Sequence, residues 1–237
     1  MSFIVILACL STQWFLNLSS ALYTFHWAGK YTQWMMNDKF SKLASGHGFF
    51  TVLLLVLPIV IVMSLLFTIV YHTLGHVGYL ILSLLLLWYC VDVTILKKTP
   101  TTEIPHADLL LDSYQKIFAP LLWYFVLGPV GLVIYVVVAT LRAQLPAHKY
   151  FILTQGVLDW VPIRVLGLTF ALAGNFGSVI KVWMRELFQS VSDSQNQVVI
   201  FGESALESDS DVMSLVRRAL LIWLVIMALI TVGGWIG

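Results

Sequence analysis

Charge is scarce in this chain of 237 residues, because Asp, Glu, Lys and Arg together make up only 11% of the sequence. A soluble domain carries about 25% charged residues, so this chain has too few to cover a water-facing surface. The formal net charge is +1, which provides no basic surface for nucleic acid. These shortages exclude a soluble domain and a nucleic-acid-binding protein, and they predict an integral membrane protein.

Cysteine and catalytic signatures are scarce as well. The two cysteines, Cys9 and Cys90, lie far apart in apolar runs, which predicts buried thiols without a disulfide or a metal. The sequence contains no GxxxxGK[ST], GxGxxG, HExxH, GxSxG or CxxC motif. We therefore expect no catalytic residues, no metal and no cofactor, and an enzyme is the less favoured class of protein.

Long apolar runs are abundant, since 59% of the residues are hydrophobic. About 20 apolar residues suffice for a helix to cross a bilayer. We predict an all-α, multi-pass protein with a single integral membrane domain over residues 1–237, built from about six membrane-embedded helices plus interfacial amphipathic helices. The predicted spans are 3–22, 49–71, 77–96, 118–141, 152–174 and 216–236. The first is interpreted as a retained span, because it lacks the basic start of a signal peptide.

The basic residues predict an orientation for these six spans. With the N-terminus outside, the outer loops hold only Arg142 and Lys149. The inner side holds Lys30, Lys39, Lys42, Lys97, Lys98, Lys116, Lys181, Arg185, Arg217 and Arg218. Because basic residues favour cytoplasmic loops, both termini are predicted outside and segments 24–48, 97–117 and 175–215 cytoplasmic.

Two of these cytoplasmic segments have a distinct character. Residues 24–45 carry aromatic side chains at helical spacing, which predicts an interfacial amphipathic helix or an aromatic belt at the membrane end. Residues 192–211 are rich in serine and acidic side chains, which predicts a mobile, solvated stretch.

An acidic loop between two spans holds Glu103, His106, Asp108 and Asp112. Two carboxylates and a histidine could hold Mg²⁺ or take part in acid–base chemistry. A solvated loop that leads into an Asp-rich helix start explains the same residues and is the favoured interpretation.

The stretch GVLDWVPIRVLG, residues 156–167, places Asp159, Pro162 and Arg164 within an apolar run. Proline is best tolerated in the first turn of a helix, so the span is predicted to begin near Asp159, with this residue as the N-cap. Arg164 would then fold back towards Asp159 or towards lipid phosphate. A buried ion pair and a functional site remain open alternatives.

Small residues at 128–131 and 167–174 would let helices approach closely. Packing within the protein's own bundle is favoured over packing against a partner.

The strings YQKIFAPLLWYFVLGPVGLVIYVVV (114–138) and GVLDWVPIRVLGLTFALAGNF (156–176) resemble the AmpE family. The resemblance implies a regulatory signalling protein of the bacterial inner (plasma) membrane, linked to β-lactamase induction and related to the CobD/CbiB proteins. The positions it carries over are Phe118, Trp123, Gly128, Pro129, Tyr135, Asp159, Trp160, Pro162 and Arg164. The candidates for binding a partner or ligand are Asp159, Trp160, Pro162, Arg164, Trp123 and Tyr135.

Two functions follow as hypotheses. The first is a regulatory protein that contacts the lipid bilayer and binds a membrane-protein partner through its transmembrane helices. The alternative is an amide-forming ligase like the CobD/CbiB proteins, or another membrane enzyme that binds a small molecule. The chain departs from those ligases in having only Asp159 as an acidic residue ahead of the proline, which favours the first hypothesis.

Overall fold

A computed structural model describes residues 2–16, 30–31, 48–97, 105–145, 149–187, 194–206 and 211–236. The helices are α1 Ser2–Leu16, α2 Gly48–Cys90, α3 His106–Ser113, α4 Ala119–Gln144, α5 Lys149–Ala173, α6 Phe176–Glu186, α7 Ser194–Ala205 and α8 Val212–Ile236. A 3-10 helix, Val93–Lys97, follows α2, and a π-helical turn, Tyr114–Phe118, joins α3 to α4. No strand occurs in these ranges, and the predicted all-α membrane fold is confirmed.

Four helical stretches are long and apolar enough to cross a membrane. They are Phe49–Cys90, His106–Gln144, Lys149–Ala173 and Val212–Gly234. Their apolar side chains face outward over large areas, as expected where lipid replaces water. The predicted amphipathic segment 24–45 lies outside the described residues, except for Lys30 and Tyr31.

The polar residues of α1 hold the end of α2. Gln13 is buried, and its Nε2 atom donates to the carbonyl oxygens of Trp88 (3.1 Å) and Val91 (2.8 Å). Its Oε1 atom accepts from the N–H of Val93 at 3.2 Å. A helix terminus leaves its last carbonyl groups without partners, and a glutamine from a neighbouring helix satisfies them here.

Two long helices break at glycines with nearly the same backbone conformation. Gly75 in α2 has φ 64° and ψ −153°, and Gly128 in α4 has φ 68° and ψ −155°. This region of backbone space is essentially restricted to glycine. Each begins a G-x-x-G sequence, closed by Gly78 and Gly131 respectively. The same short motif therefore turns the chain twice.

The break at Gly128 folds the chain back on itself. Tyr114 and Tyr135 lie on either side of it, and in a straight helix about 31 Å would separate them. Their hydroxyl groups instead both donate to one oxygen of Asp159, at 2.5 Å and 3.2 Å. Residues 114–127 and 129–144 are therefore the two arms of a helical hairpin. The span predicted over 118–141 therefore contains a break at Gly128, which hydropathy does not detect inside an apolar run.

The break at Gly75 bends α2 in the same manner. The rings of Phe67 and Tyr79 lie 5.4 Å apart between centroids, although a straight helix would separate these positions by about 18 Å. This turn fits the two separate spans predicted over 49–71 and 77–96. Tyr71 and Tyr79 also line a small cleft with Pro129, so the tips of the two hairpins meet.

We expect the ends of the second hairpin to be accessible from the same side of the membrane. Asp108 and Gln144 are both exposed, and each can be replaced by cysteine in a chain in which Cys9 and Cys90 are serine. An impermeant maleimide should then label both positions in the same vesicle orientation. Labelling from opposite sides would indicate a single straight span instead. The membrane side of the other segments in the six-span scheme stays a prediction. The hairpin changes the side predicted for the segments that follow residue 128.

Helix α5 lies at the centre of the C-terminal half, with α4, α6, α7 and α8 packed around it. A Cβ atom on Gly167 would come within 2.7 Å of the Phe201 ring and 2.8 Å of the Trp183 ring. A Cβ atom on Gly174 would come closer still to the carbonyl oxygen of Ala205. The small residues at 167–174 thus serve packing within the bundle, as predicted.

The expectation of a solvated stretch over 192–211 is wrong for Ser194–Ala205. This segment forms α7, and Val198, Phe201 and Ala205 are buried against the core. The serine and acidic residues made the composition of the segment polar, but its apolar residues recur at helical spacing and pack against α5.

Candidate functional site

Helix α5 runs without interruption through the unusual motif. It begins at Lys149, and Asp159 lies in its third turn with no exposed surface. The predicted N-cap role of Asp159 is therefore wrong, and so is the predicted start of the span near it. Pro162 is buried inside the helix, and membrane helices tolerate such prolines because neighbouring groups satisfy the freed backbone atoms.

Asp159 is the acceptor of a buried cluster that joins three segments. Its Oδ1 atom accepts from the hydroxyl groups of Tyr114 (2.5 Å) and Tyr135 (3.2 Å). The Nε2 atom of Gln155 donates to both carboxylate oxygens, at 3.1 Å and 3.2 Å. The donors come from the π-helical turn, the second arm of the hairpin and α5 itself. A single carboxylate thus links both arms of the hairpin to α5. We call these four residues the Asp159 cluster.

Arg164 binds residues that follow it in the sequence, at the end of α6 and in α7. Its Nη1 atom donates to Oε1 of Gln197 (2.9 Å), and its Nη2 atom donates to the carbonyl oxygens of Glu186 (3.3 Å) and Leu187 (3.1 Å). The Arg164 guanidinium also lies 4.8 Å from the centre of the Trp160 ring. Neutral oxygens and an aromatic face therefore stabilise this cation, and they hold the α6–α7 segment against α5.

The two charges of the motif do not pair with each other. Among the described residues the ion pairs are Lys116–Asp112 (2.7 Å) and Arg185–Glu186 (3.1 Å). Five residues along a helix separate side chains by about 140° around its axis, so Asp159 and Arg164 point to different sides of α5. The predicted approach of Arg164 to Asp159 is wrong for this geometric reason.

The other candidates divide between the cluster and its surroundings. Tyr135 belongs to the Asp159 cluster, as described above. Trp160 is 40% exposed on the outer face of α5, with Val157 and Val161 beside it. Trp123 is half-buried on the first arm of the hairpin, and its Nε1 atom has no hydrogen-bond partner among the described residues.

The acidic loop does not assemble into a site in the part that the structure describes. His106 and Asp108 are exposed at the start of α3, and Asp112 is paired with Lys116. Glu103 lies outside the described residues. Over the described ranges, no three His, Cys, Asp or Glu side chains are grouped closely enough to hold a metal ion.

Sequence reasoning missed several members of the site. Gln155 could have been found, because it precedes Asp159 by four residues and such pairs face each other on a helix. Tyr114 and Gln197 could not, since they lie 45 and 33 residues from the charges that they bind. Only the hairpin and the packing of α7 bring them close.

The sequence profile of the family described as "Regulatory signalling modulator protein AmpE" matches residues 96–236. The chain belongs to the AmpE family. The match includes α3 to α8, and so contains every residue of the Asp159 cluster and every partner of Arg164.

Protein AmpE of Shigella flexneri is 30% identical to the chain over 153 residues. The aligned region is 53% of this chain and 51% of that protein, so the chain spans about half the length of this curated AmpE protein. No solved structure matches the chain.

Membership of the AmpE family leaves the alternative of a nucleotide-dependent ligase open to a direct test. We expect the purified protein to show no saturable heat of binding with Mg²⁺–ATP, because the described residues group no three His, Cys, Asp or Glu side chains that could hold a metal ion and Lys116 neutralises Asp112. Titration calorimetry measures this directly. A binding isotherm that disappears in Asp108→Ala would revive the enzyme hypothesis.

Proposed function

We propose that this protein is a regulatory protein of the bacterial inner membrane that acts in the response to β-lactams. In this proposal it acts by binding a membrane partner and not by catalysing a reaction. The description of the AmpE family as a regulatory signalling modulator supports the regulatory part. The geometry of α5 supports a role in conformational coupling.

The observation that carries the proposal is the distribution of bonds along α5. Asp159 binds both arms of the hairpin, whereas Arg164, about 7.5 Å further along the axis, binds α6, the residue that follows it and α7. A displacement of either group of helices would act on the other through α5. Coupling between sites requires such a physically connected element with contacts on both sides.

The outer face of α5 offers a route to a partner. Val157 is 64% exposed and Val161 is 43% exposed, and both flank the Trp160 ring that stacks on Arg164. A helix that packs on this face would touch a residue in direct contact with the buried cation. Trp160 would then connect the partner to the α6–α7 segment.

The first experiment compares β-lactamase induction in strains that carry Asp159→Asn or Arg164→Lys. The matched controls are Asp108→Asn and Arg218→Lys, which make the same chemical changes at exposed positions outside α5. We expect altered induction for the first pair at equal protein levels in the membrane, and unchanged induction for the controls. Normal induction in both α5 variants would contradict the proposed role of α5.

The second experiment addresses the partner. A photoreactive amino acid at Val157 should give a protein adduct of defined mass, whereas the same group at Leu229, which is 67% exposed on α8, should give lipid adducts. Lipid adducts alone at Val157 would remove the proposed partner surface from α5.

A further inference from the structure

A half-open groove of about 400 Å³ lies between the last turns of α1 and the first half of α8, beside the 3-10 helix Val93–Lys97. Binding sites for small molecules begin at about 300 Å³, so the groove is large enough to hold part of a ligand. Phe15 is 85% exposed and Leu221 is 62% exposed, so the groove opens on the outer surface of the bundle. Its apolar lining comes from Leu10, Trp14, Phe15, Leu220, Leu221 and Leu224.

Arg217 gives one end of this groove a positive charge. It directly precedes the last part of α8, where residues 219–236 are mostly apolar and include no charged side chain. Basic residues beside such a run lie at the level of the lipid headgroups. From Arg217 to Leu224 the groove follows α8 for about 10 Å. It therefore combines a cation at the headgroup level with an apolar body inside the hydrocarbon.

The guanidinium of Arg217 is held in a fixed orientation. Its Nε and Nη2 atoms both donate to the carbonyl oxygen of Leu96, at 3.1 Å and 2.5 Å. These bonds use one edge of the planar group, and no described residue accepts from Nη1. The edge formed by Nη1 and Nη2 has the fork geometry that binds two oxygens of a phosphate. Arg217 is exposed, so a phosphate can reach this edge.

Lys97 adds a second cation at the same end, directly after the residue that Arg217 binds. Its Nζ atom donates to the carbonyl oxygen of Trp14 at 2.6 Å and lies 5.1 Å from the centre of the Trp14 ring. Trp14 lines the groove, so both cations lie beside its lining. Two positive charges at one end favour an anionic ligand.

The carboxylates nearest to these cations in the sequence serve local structure. Oδ1 of Asp92 accepts from the N–H of Thr94 at 3.0 Å and from its hydroxyl group at 2.6 Å. Oδ1 of Asp211 accepts from the N–H of Met213 at 3.2 Å. Arg217 forms no ion pair with either carboxylate or with another described one. Its charge is therefore available to an anion from outside the chain.

We propose that the groove binds one anionic phospholipid of the phosphatidylglycerol type. Arg217 binds the phosphate, and one acyl chain lies along Leu220 and Leu224. Phosphatidylglycerol carries a net negative charge, whereas the quaternary ammonium of phosphatidylcholine cancels its phosphate and is repelled by Lys97. Basic residues at a membrane surface favour anionic lipids in this manner. The inference goes beyond the proposed function, because it concerns a lipid on α1 and α8 and not a protein partner on α5.

The test is native mass spectrometry of the purified full chain in detergent. Separate samples are titrated with dioleoyl phosphatidylglycerol and with dioleoyl phosphatidylcholine, which share the phosphate and both acyl chains. We expect one molecule of phosphatidylglycerol to be retained at a concentration about fivefold or more below that needed for phosphatidylcholine. Equal retention of the two lipids would overturn the proposal.

Two adjacent arginines distinguish the groove from a general basic surface. Arg217→Gln should remove the preference for phosphatidylglycerol. Arg218→Gln makes the same change at an exposed neighbour that does not line the groove, and it should keep the preference. Equal losses in the two variants would contradict the proposal, because a diffuse attraction depends on charge and not on position.

A second pair of variants fills the groove and leaves every charge in place. Leu221→Trp adds a larger side chain to the lining and should abolish lipid retention. Leu229→Trp, at a similarly exposed position of α8 outside the groove, should retain lipid like the unmodified chain. Both positions are exposed, so we expect both variants to fold, and their melting temperatures without lipid check this.

Unchanged retention in Leu221→Trp would overturn the proposal, because the lipid would then bind elsewhere. A dimer of the chain that carries no lipid would also overturn it, since a second copy would then cover the groove. Neither result would affect the induction experiment on Asp159 and Arg164. The failure of this inference is therefore distinguishable from the failure of the proposed function.

Discussion

Replacement of Asp159 by alanine is expected to lower the free energy of unfolding by about 3 kcal/mol or more. The change removes the acceptor shared by Tyr114, Tyr135 and Gln155, all of which are buried. A lost acceptor costs each buried donor about 1–3 kcal/mol, and this substitution removes the acceptor that three donors share. Thermal denaturation of the purified protein in detergent measures the loss.

A conservative variant and a double mutant separate this cluster from ordinary packing. Asp159→Asn keeps one oxygen acceptor and should lose less stability than alanine. Tyr114→Phe removes one of the stranded donors, so adding it to Asp159→Ala should cost less than the sum of the two single changes. Thr154→Ala, at a half-buried neighbouring position outside the cluster, is the control for substitutions in α5. Additive losses would show that the hydroxyl group and the carboxylate are not coupled.

Replacement of Gly128 by alanine is expected to cost about 1–3 kcal/mol, because the turn of the second hairpin requires a positive φ. Apart from its chain neighbours, no atom of the described residues lies within 4 Å of the position that its Cβ would take, so the loss comes from backbone conformation. Gly233→Ala is the matched control, since its Cβ would also meet open space but its backbone is not in the left-handed region. This control should be neutral or should stabilise α8 by up to about 1 kcal/mol.

The neighbouring glycine allows a second comparison. A Cβ on Gly131 would lie 2.6 Å from the carbonyl oxygen of Trp123, so Gly131→Ala should destabilise the protein through contact instead of conformation. Combined with Gly128→Ala, it tests whether the G-x-x-G sequence acts as one unit. Equal melting temperatures for Gly128→Ala and Gly233→Ala would contradict the hairpin.

Composition was sufficient to predict the helical membrane fold, because apolar runs in a chain with so little charge have few other solutions. The positions of the breaks were harder to predict. Gly128 is followed by Pro129, and this pair favours a turn and then a new helix start. Pro162 looked equally disruptive, yet its helix continues because contacts on several sides hold α5. Local sequence rules could not predict that the helix breaks before Pro129 and continues through Pro162, since the difference lies in tertiary packing.

The site shows the same limit. The motif identified Asp159 and Arg164 correctly as unusual residues, since buried charge in an apolar helix is costly. It suggested an interaction between them because they are close in sequence. Their side chains leave α5 in different directions, and their partners are tens of residues away. The spacing along a helix was a better guide than closeness, as the four-residue step from Gln155 to Asp159 illustrates.

The order of bonds along the chain has a consequence for biosynthesis. Tyr114, Tyr135 and Gln155 all precede Asp159, so its cluster can close as soon as α5 has left the ribosome. Arg164 must wait for the carbonyl groups of Glu186 and Leu187, 22 and 23 residues later, and its full set of partners is complete only with Gln197, 33 residues later. At about 5–20 residues per second, this delay lasts roughly 2–7 seconds. During that interval Trp160, only four residues before it, is already available to cover the guanidinium. We expect the tryptophan to shield the nascent cation until its other partners have been synthesised.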